Sequence, residues 1–231
     1  MTHHDMSRRS PLRRLTTRLY GFFNTLDFKS SAEYWEKRYA HGGNSGMGSY
    51  GRLAEFKAEI INSVIHRHGI RSAVEFGCGD GNQLGLLDSK VNYLGLDVSA
   101  TAVAHCRAKF SGDSRKRFAI YDGCRDLYPA LGIKAELSIS LDIPYHLVED
   151  AVFAQYMRNL FAAEQLVLIY STNQNAQTTR SLSHVRHRQF SDYVAATFPA
   201  WTPLEHMPAR YPLAQYADGS DAEFFLYERS G

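Results

Sequence analysis

The chain has 231 residues, of which 44% are hydrophobic, so it is long enough to bury a two-sided sheet within one globular domain. No apolar run approaches the roughly 20 residues of a membrane span, and the first residues do not read as a secretory leader, so a cytoplasmic protein is expected. Its three cysteines include no C-x-x-C pair, so neither a disulfide framework nor a zinc site is indicated.

The net charge of +2 is unevenly spread. Residues 1–20 hold five arginines against one aspartate, which leaves 21 basic and 23 acidic side chains in the remainder. Apolar residues recur at three- and four-residue steps there, as in an amphipathic helix: Leu12, Leu15, Leu19, Phe22, Phe23 and Leu26. Residues 1–30 are interpreted as a basic arm that contacts an anionic membrane peripherally, or that packs on the domain or on a second subunit in a homodimer. Nucleic acid is not expected as a partner, because the body has no basic excess.

A helical lid is predicted over residues 31–68, at the start of a domain that spans 31–231. Helical character is found over 34–39 and 51–68. The loop between them reads H-G-G-N-S-G-M-G-S-Y, and its four glycines with Asn and Ser side chains offer mobile backbone donors. Such a loop is suited to closing over a ligand, although a plain flexible connector has the same composition.

Residues 74–84, V-E-F-G-C-G-D-G-N-Q-L, are predicted to join a buried strand to a helix through a glycine turn. The glycines are Gly77, Gly79 and Gly81. They allow backbone N–H groups to approach a ligand. A dinucleotide fingerprint needs glycine where this chain has Asn82. Glu75 repels a pyrophosphate but suits a cofactor that carries an ammonium and a sulfonium, which favours S-adenosylmethionine.

Strands and helices alternate after this turn. Strands are predicted over 92–97, 117–121, 135–141 and 165–170, and helices over 81–87, 100–109, 125–130 and 149–161. A helix over 188–198 and strands over 204–209 and 222–228 follow. This alternation predicts an α/β fold in which a mostly parallel sheet is covered on both faces and ligands bind at the carboxyl ends of the strands.

Carboxylates end three successive predicted strands, at Glu75, Asp97 and Asp122. Asp97 lies 18 residues after Gly79, where a second βα unit delivers an acid to ribose hydroxyls, so Asp97 is the predicted ribose ligand. A lone aspartate at a strand end usually caps the next helix instead. Three such acids, with the glycine turn after the first, favour a ligand site.

These motifs resemble the class I S-adenosylmethionine-dependent methyltransferases. The resemblance implies a Rossmann-like, seven-stranded sheet whose last strand is antiparallel. It implies that Asp122 reaches the adenine amine, and Cys78 is counted with the glycine turn among the cofactor contacts. The segments Y-W-E-K-R-Y, G-N-S-G-x-G-S-Y and L-A-E-F-K resemble one methyltransferase subgroup. In that subgroup, Tyr34, Tyr39, Ser49 and Tyr50 would approach the methionyl end of the cofactor.

The segment after the fourth strand, D-I-P-Y-H-L-V-E-D over 142–150, is predicted to face the transferred methyl group. An alcohol is a poor nucleophile until a base takes its proton, and His146 is the predicted base, with a pKa near 6.5. Glu149 or Asp142 would fix its tautomer. Alternatively, Asp142 and Asp150 bind Mg²⁺. A third interpretation is structural, with Glu149 and Asp150 complementing the dipole of the next helix and His146 tying the turn to the sheet.

Polar side chains for the acceptor are predicted from Tyr145 and from the segment H-V-R-H-R, which supplies His184, His187 and Arg188. A solvated basic loop explains that segment equally well. The H-L-V-E-D pattern resembles bacterial polysaccharide-associated methyltransferases and mycobacterial mannoside O-methyltransferases. This implies O-methylation of a saccharide-like acceptor. A small-molecule N-methyltransferase and a catalytically silent cofactor-binding subunit remain as alternatives.

Overall fold

The computed structural model describes residues 28–88, 90–125, 134–176 and 183–230. Nearly all of the predicted arm over 1–30 and of the predicted helix over 125–130 lies outside these residues, so the membrane and homodimer contacts assigned to the arm stay predictions. None of the helices within the described ranges combines the length and the apolar character that crossing a bilayer requires.

A seven-stranded sheet forms the centre of the described chain. Its strands are β1 Ser72–Phe76, β2 Asn92–Asp97, β3 Lys116–Ile120, β4 Leu137–Leu141, β5 Leu166–Ser171, β6 Trp201–Met207 and β7 Glu223–Arg229. They lie in the order β3-β2-β1-β4-β5-β7-β6. Strands β1 to β5 are parallel, and β7 is antiparallel to both β5 and β6. The predicted α/β fold, with a mostly parallel sheet and an antiparallel last strand, is confirmed.

Burial along the strands follows from their place in the sheet. Every residue of β4 and β5 is buried, as expected of central strands covered on both faces. Strand β6 is an edge strand and is mostly exposed. It begins at Trp201, three residues before the predicted start. The start was missed because a proline, here Pro203, argues against a central strand. Proline is tolerated at sheet edges and irregularities, and the register of β6 does shift between Pro203 and Glu205.

Helices cover both faces of the sheet. They are α1 Ser31–Ala40, α2 Gly51–Arg67, α3 Ala100–Lys109, α4 Asp150–Leu160 and α5 Phe190–Thr197. Side chains of α4 and α5 join one apolar cluster and those of α2 join another. Alternate residues of β1 pack on opposite faces of the sheet, with Val74 in the first cluster and Ala73 in the second. The helix predicted over 81–87 is instead a 3-10 turn at Gln83–Leu86, which contains a glycine and has no side-chain cap.

Candidate active site

A cavity lies at the carboxyl ends of the parallel strands, between the glycine turn, the segment over 30–49 and the turn after β4. The following residues predicted for the site line it: Ser49, Glu75, Gly77, Cys78, Gly79, Asp97, Asp122, Asp142, His146 and Glu149. The following predicted residues do not line it: Tyr34, Gly81, Tyr50, Tyr145, Asp150, His184, His187 and Arg188. The structure therefore gathers most of the predicted cofactor residues and all three predicted catalytic residues into one space.

The glycine turn is closely covered by neighbouring groups. Its φ angles are 81° at Gly77, 56° at Gly79 and 68° at Gly81. A Cβ on Gly77 would overlap the side chain of Ile143. A Cβ on Gly79 would overlap Ser45 Oγ and lie 2.8 Å from the hydroxyl of Tyr39. Both the left-handed backbone and the close approach therefore require glycine. Gly81 packs instead against side chains of α3 and its C-terminal end.

The loop over 41–50 is bound to this turn through Asp80. Its carboxylate Oδ2 accepts hydrogen bonds from Ser45 N at 2.9 Å and from the Tyr50 hydroxyl at 2.8 Å. The backbone N–H of Asp80 donates to Ser45 Oγ at 3.0 Å. Burial and the neighbouring Asp80 raise the pKa of Tyr50 to about 12, so its hydroxyl keeps its proton. Asp80 was not singled out from the sequence, although its place between two of the glycines was a usable signal.

Two buried carboxyls lie beside the turn. Glu75 is 3% exposed and accepts a hydrogen bond from the Tyr93 hydroxyl at 2.6 Å. Asp97 is 5% exposed and accepts from Gly79 N at 2.8 Å and Ser99 N at 2.9 Å. Burial raises the pKa of Glu75 to about 7 and that of Asp97 to about 6. Both carboxyls line the cavity and keep free lone pairs, so they can accept hydrogen bonds from a bound ligand.

Asp142 directly follows β4 and has a strained backbone. Its φ of 61° is uncommon for a residue other than glycine. One carboxylate oxygen pairs with Lys57 Nζ at 2.9 Å, and the other accepts from the Tyr145 hydroxyl at 2.7 Å. Lys57 is 1% exposed. The sequence did not point to Lys57, because its partner lies 85 residues away on another element. This buried pair fixes the start of the turn that carries His146.

His146 lines the cavity as a neutral imidazole. Its Nδ1 lies 3.1 Å from the backbone oxygen of His184, and its ring is nearly perpendicular to that of Trp35, with 5.0 Å between the centroids. Burial lowers the pKa of His146 to about 4, below the predicted value near 6.5. A carbonyl only accepts, so Nδ1 carries the proton and Nε2 holds the lone pair. The tautomer is thus fixed by a backbone carbonyl, and not by Glu149 or Asp142 as predicted.

Glu149 joins the turn after β4 to the start of α1. Its carboxylate accepts from Ser31 N at 3.0 Å and from Ser31 Oγ at 2.7 Å. Ser31 Oγ also lies 2.8 Å from the backbone oxygen of His146, although its single proton is donated to the carboxylate. Glu149 therefore stabilises the N-terminus of α1. The helix-capping interpretation holds for this residue, but on a different helix, because its side chain makes no capping bond to α4.

The predicted acceptor-binding histidines lie behind the turn. The ring of His184 stacks on Tyr34 at 4.1 Å and on His146 at 5.5 Å between centroids. Burial lowers the pKa of His184 to about 4. His187 Nδ1 lies 2.7 Å from Thr172 Oγ1. The His184 ring therefore packs against the His146 ring, and acceptor binding by His184 and His187 stays a prediction.

Arg188 holds the same turn through its guanidinium. It donates to the backbone oxygens of Leu147 and Val148 and to Asp150 Oδ1 at 2.9 Å. Arg186 also pairs with Asp150 at 2.9 Å. These interactions give Arg188 a positioning function, whether or not it also meets an acceptor.

The residues predicted for Mg²⁺ do not fit such a site. Asp142 is engaged by the ammonium of Lys57 and the hydroxyl of Tyr145, and Asp150 is paired with two arginines outside the cavity. Within the described ranges, no cluster of three or more His, Cys, Asp or Glu side chains has the arrangement of a metal site. Positive neighbours at both carboxylates oppose a bound cation.

No family model matches this chain, and no curated protein matches its sequence. Solved structures do match its fold. The N-methyltransferase NodS from Bradyrhizobium japonicum, in complex with S-adenosylhomocysteine, has a TM-score of 0.69 at 14% identity, over 88% of this chain and 100% of that one. Magnesium protoporphyrin IX methyltransferase from Synechocystis, with bound S-adenosylhomocysteine, has a TM-score of 0.60 at 16% identity, over 93% of this chain and 99% of that one. The methyltransferase domain of bacterial CtHen1 has a TM-score of 0.61 at 15% identity, over 78% of this chain and 100% of that one. The chain has the Rossmann-like fold of these methyltransferases.

Proposed function

We propose that this chain is an S-adenosylmethionine-dependent methyltransferase that methylates a hydroxyl of a small polyhydroxylated acceptor, foremost a sugar or oligosaccharide such as a mannoside. The observation that carries the proposal is the meeting, in one cavity, of the glycine turn, the buried carboxyls of Glu75 and Asp97, and the neutral imidazole of His146. Solved structures of this fold with S-adenosylhomocysteine support it.

Each cofactor residue has a defined part in this proposal. The glycine turn allows close approach of the amino-acid end, near Glu75, whose ionised form attracts an ammonium. Asp97 accepts hydrogen bonds from ribose hydroxyls, and Asp122 accepts one from the adenine amine. Ser49, at the end of the covering loop, lines the same cavity, whereas Tyr50 acts through its bond to Asp80.

His146 takes the proton from the acceptor. S-adenosylmethionine, when bound, supplies an electrophilic methyl group on a positively charged sulfur. If that methyl group passed from sulfur to the acceptor oxygen, leaving S-adenosylhomocysteine, the oxygen would gain positive charge, and its proton would become far more acidic than an imidazolium with a pKa of about 4. Nε2 of His146 accepts that proton, while Nδ1 stays bonded to the His184 carbonyl and keeps the ring in place.

The charge of the cavity lining limits which acceptors can bind. Its lining carries several carboxyl groups, and no lysine or arginine among the described residues. Such a lining opposes an anionic acceptor and accepts a neutral polyol or a cation. Trp35 also lines the cavity, and an aromatic side chain can pack against a sugar. The saccharide itself rests on the resemblance of the H-L-V-E-D segment. The acidic lining also favours a second candidate, an N-methyltransferase acting on a small amine.

A panel of acceptors tests the proposed function. The purified protein is incubated with S-adenosylmethionine and either mono- and oligosaccharides, amines or catechols, and products are identified by mass spectrometry. One added methyl group on a saccharide hydroxyl is the expected result, and His146→Gln serves as the negative control. Methylation of amines alone would replace the O-methyltransferase proposal with the N-methyltransferase one.

The affinity for the cofactor is expected to decrease as the pH decreases. Burial raises the pKa of Glu75 to about 7, so its charge is lost as the pH falls through 7, and an ammonium ligand is attracted less. Between pH 8 and 6.5, linkage to one proton weakens binding about fourfold. Calorimetric titration with S-adenosylhomocysteine measures this. Glu75→Gln should bind more weakly at pH 8 and lose the dependence, whereas a flat profile in the unaltered protein would argue against Glu75.

Chelation is expected to leave catalysis unchanged. Lys57 and Tyr145 already engage the two oxygens of Asp142, so the rate should not depend on a divalent cation. Initial rates with and without EDTA measure this. A rate that EDTA abolishes and added Mg²⁺ restores would reinstate the metal hypothesis.

A further inference from the structure

Gln83 contains a buried hydrogen-bond acceptor without a partner. It begins the 3-10 turn after the glycine turn, is 5% exposed and lines the cavity. Its Nε2 donates to the backbone oxygen of Ala54 at 2.9 Å. Its Oε1 is buried, and among the described residues nothing donates to it. Buried polar atoms are nearly always satisfied, so an unsatisfied oxygen at a ligand cavity calls for a donor from the ligand.

The orientation of the Gln83 amide follows from this bond. The backbone oxygen of Ala54 only accepts, so the amide group that faces it must be the NH₂. Reversing the amide would place two oxygens against each other. Oε1 is therefore held away from Ala54 by a defined interaction, and it presents an acceptor and no proton of its own.

Gln83 lies on the α2 side of the cavity. Ala54 is three residues before Lys57 on that helix, and Lys57 Nζ bonds Asp142 at the end of β4. Lys57 is also close enough to Glu75 to oppose the effect of burial on its pKa. The predicted ribose and adenine ligands instead end β2 and follow β3, on the other side of β1. Gln83 is thus bonded to the helix that also contacts Asp142 and lies close to Glu75, whereas the predicted nucleoside ligands lie across β1.

We propose that Gln83 Oε1 accepts a hydrogen bond from the ammonium group at the amino-acid end of the bound cofactor. This inference rests on the proposed function and adds to it a residue that recognises the ammonium group of the ligand. An ammonium is a donor only and matches an oxygen that only accepts, whereas the carboxylate beside it cannot pair with Oε1. Gln83 thereby distinguishes S-adenosylmethionine and S-adenosylhomocysteine from nucleosides that lack the amino acid.

The test compares two ligands by calorimetry. S-adenosylhomocysteine carries the ammonium, and 5′-methylthioadenosine carries the same nucleoside without the amino acid. Gln83→Leu is expected to weaken binding of S-adenosylhomocysteine about 10- to 100-fold, the effect of one hydrogen bond to a charged group. Its affinity for 5′-methylthioadenosine should change less than about threefold. Gln165→Leu, at an exposed glutamine in the described chain, is the matched control.

Gln83→Glu separates ligand recognition from a structural function. Glutamate keeps an acceptor but cannot donate to Ala54 when ionised, so it should restore affinity for S-adenosylhomocysteine relative to leucine. If Leu and Glu weaken binding equally, the bond to Ala54 is what matters, and the inference fails. It also fails if Gln83→Leu weakens both ligands alike, or neither. An unaltered protein that binds neither ligand would overturn the proposed function as well, which separates the two failures.

Discussion

Replacing His146 with glutamine is expected to lower kcat by about 10²- to 10⁴-fold while the affinity for S-adenosylhomocysteine stays within about twofold. The imidazole lines the cavity beside Trp35, and its Nε2 carries the lone pair because Nδ1 donates to His184. Glutamine fills similar space but offers no base. Steady-state rates and calorimetric titration on the same preparations measure the two quantities.

Controls separate this effect from a general loss of structure. His66→Gln changes an exposed histidine that pairs with Asp88, far along the chain from the turn after β4, and should leave both quantities unchanged. A kcat in His146→Gln within about threefold of the unaltered protein would remove the residue from the mechanism. A parallel loss of cofactor affinity would show that the ring supports the cavity and not the chemistry.

The pH dependence of kcat carries a second signature of His146. Burial lowers its pKa to about 4, so the ring gains a proton only as the pH falls through 4, and the base is present throughout the neutral range. At saturating cofactor, kcat should therefore show no histidine limb between pH 8 and 5.5. An acidic limb with a midpoint near 6.5 that disappears in His146→Gln would contradict the assignment of a neutral ring.

Replacing Asp97 with asparagine is expected to weaken S-adenosylhomocysteine binding about 100-fold, or about 3 kcal/mol, because two hydrogen bonds to a charged group are lost. The carboxylate is buried and already bonded to the N–H groups of Gly79 and Ser99. Each of its oxygens has a further lone pair for a ribose hydroxyl. Asparagine has one acceptor oxygen where two are used.

Stability must be followed in the same experiment. Asparagine presents an NH₂ to one of the two backbone N–H groups, so the midpoint of thermal unfolding should fall in the absence of ligand. Glu164→Gln, at an exposed carboxylate after α4, is the control for charge. If Asp97→Asn is folded and its affinity is within threefold of the unaltered protein, the ribose assignment is wrong.

The fold followed from local patterns, and most of the cofactor side of the site followed with it. Strand and helix periodicity predicted the sheet, and Asp97 ends β2 as expected. It does not cap α3, because Ser99 takes that position and accepts from Ala102 N. Spacing is informative here because glycine turns and strand ends are set by neighbouring residues.

The sequence did not predict the contacts between residues on distant elements. Lys57 meets Asp142 across 85 residues, and Glu149 meets Ser31 across 118. The carbonyl that orients His146 belongs to His184, and every residue has such a group. No residue type marks a backbone acceptor, so sequence reasoning assigned this function to carboxylates that the fold uses elsewhere. Tertiary packing, and not local preference, decides these partners.

Calorimetric titration of the unaltered protein with S-adenosylhomocysteine tests the central claim most directly, because it requires no knowledge of the acceptor. One site per chain is expected, with a Kd in the micromolar range, and NADH should give no heat at the same concentrations. Saturable binding that Asp97→Asn weakens and His146→Gln does not would support the assignment of this cavity to the methyl donor. Absence of binding at millimolar ligand by a folded protein would contradict it.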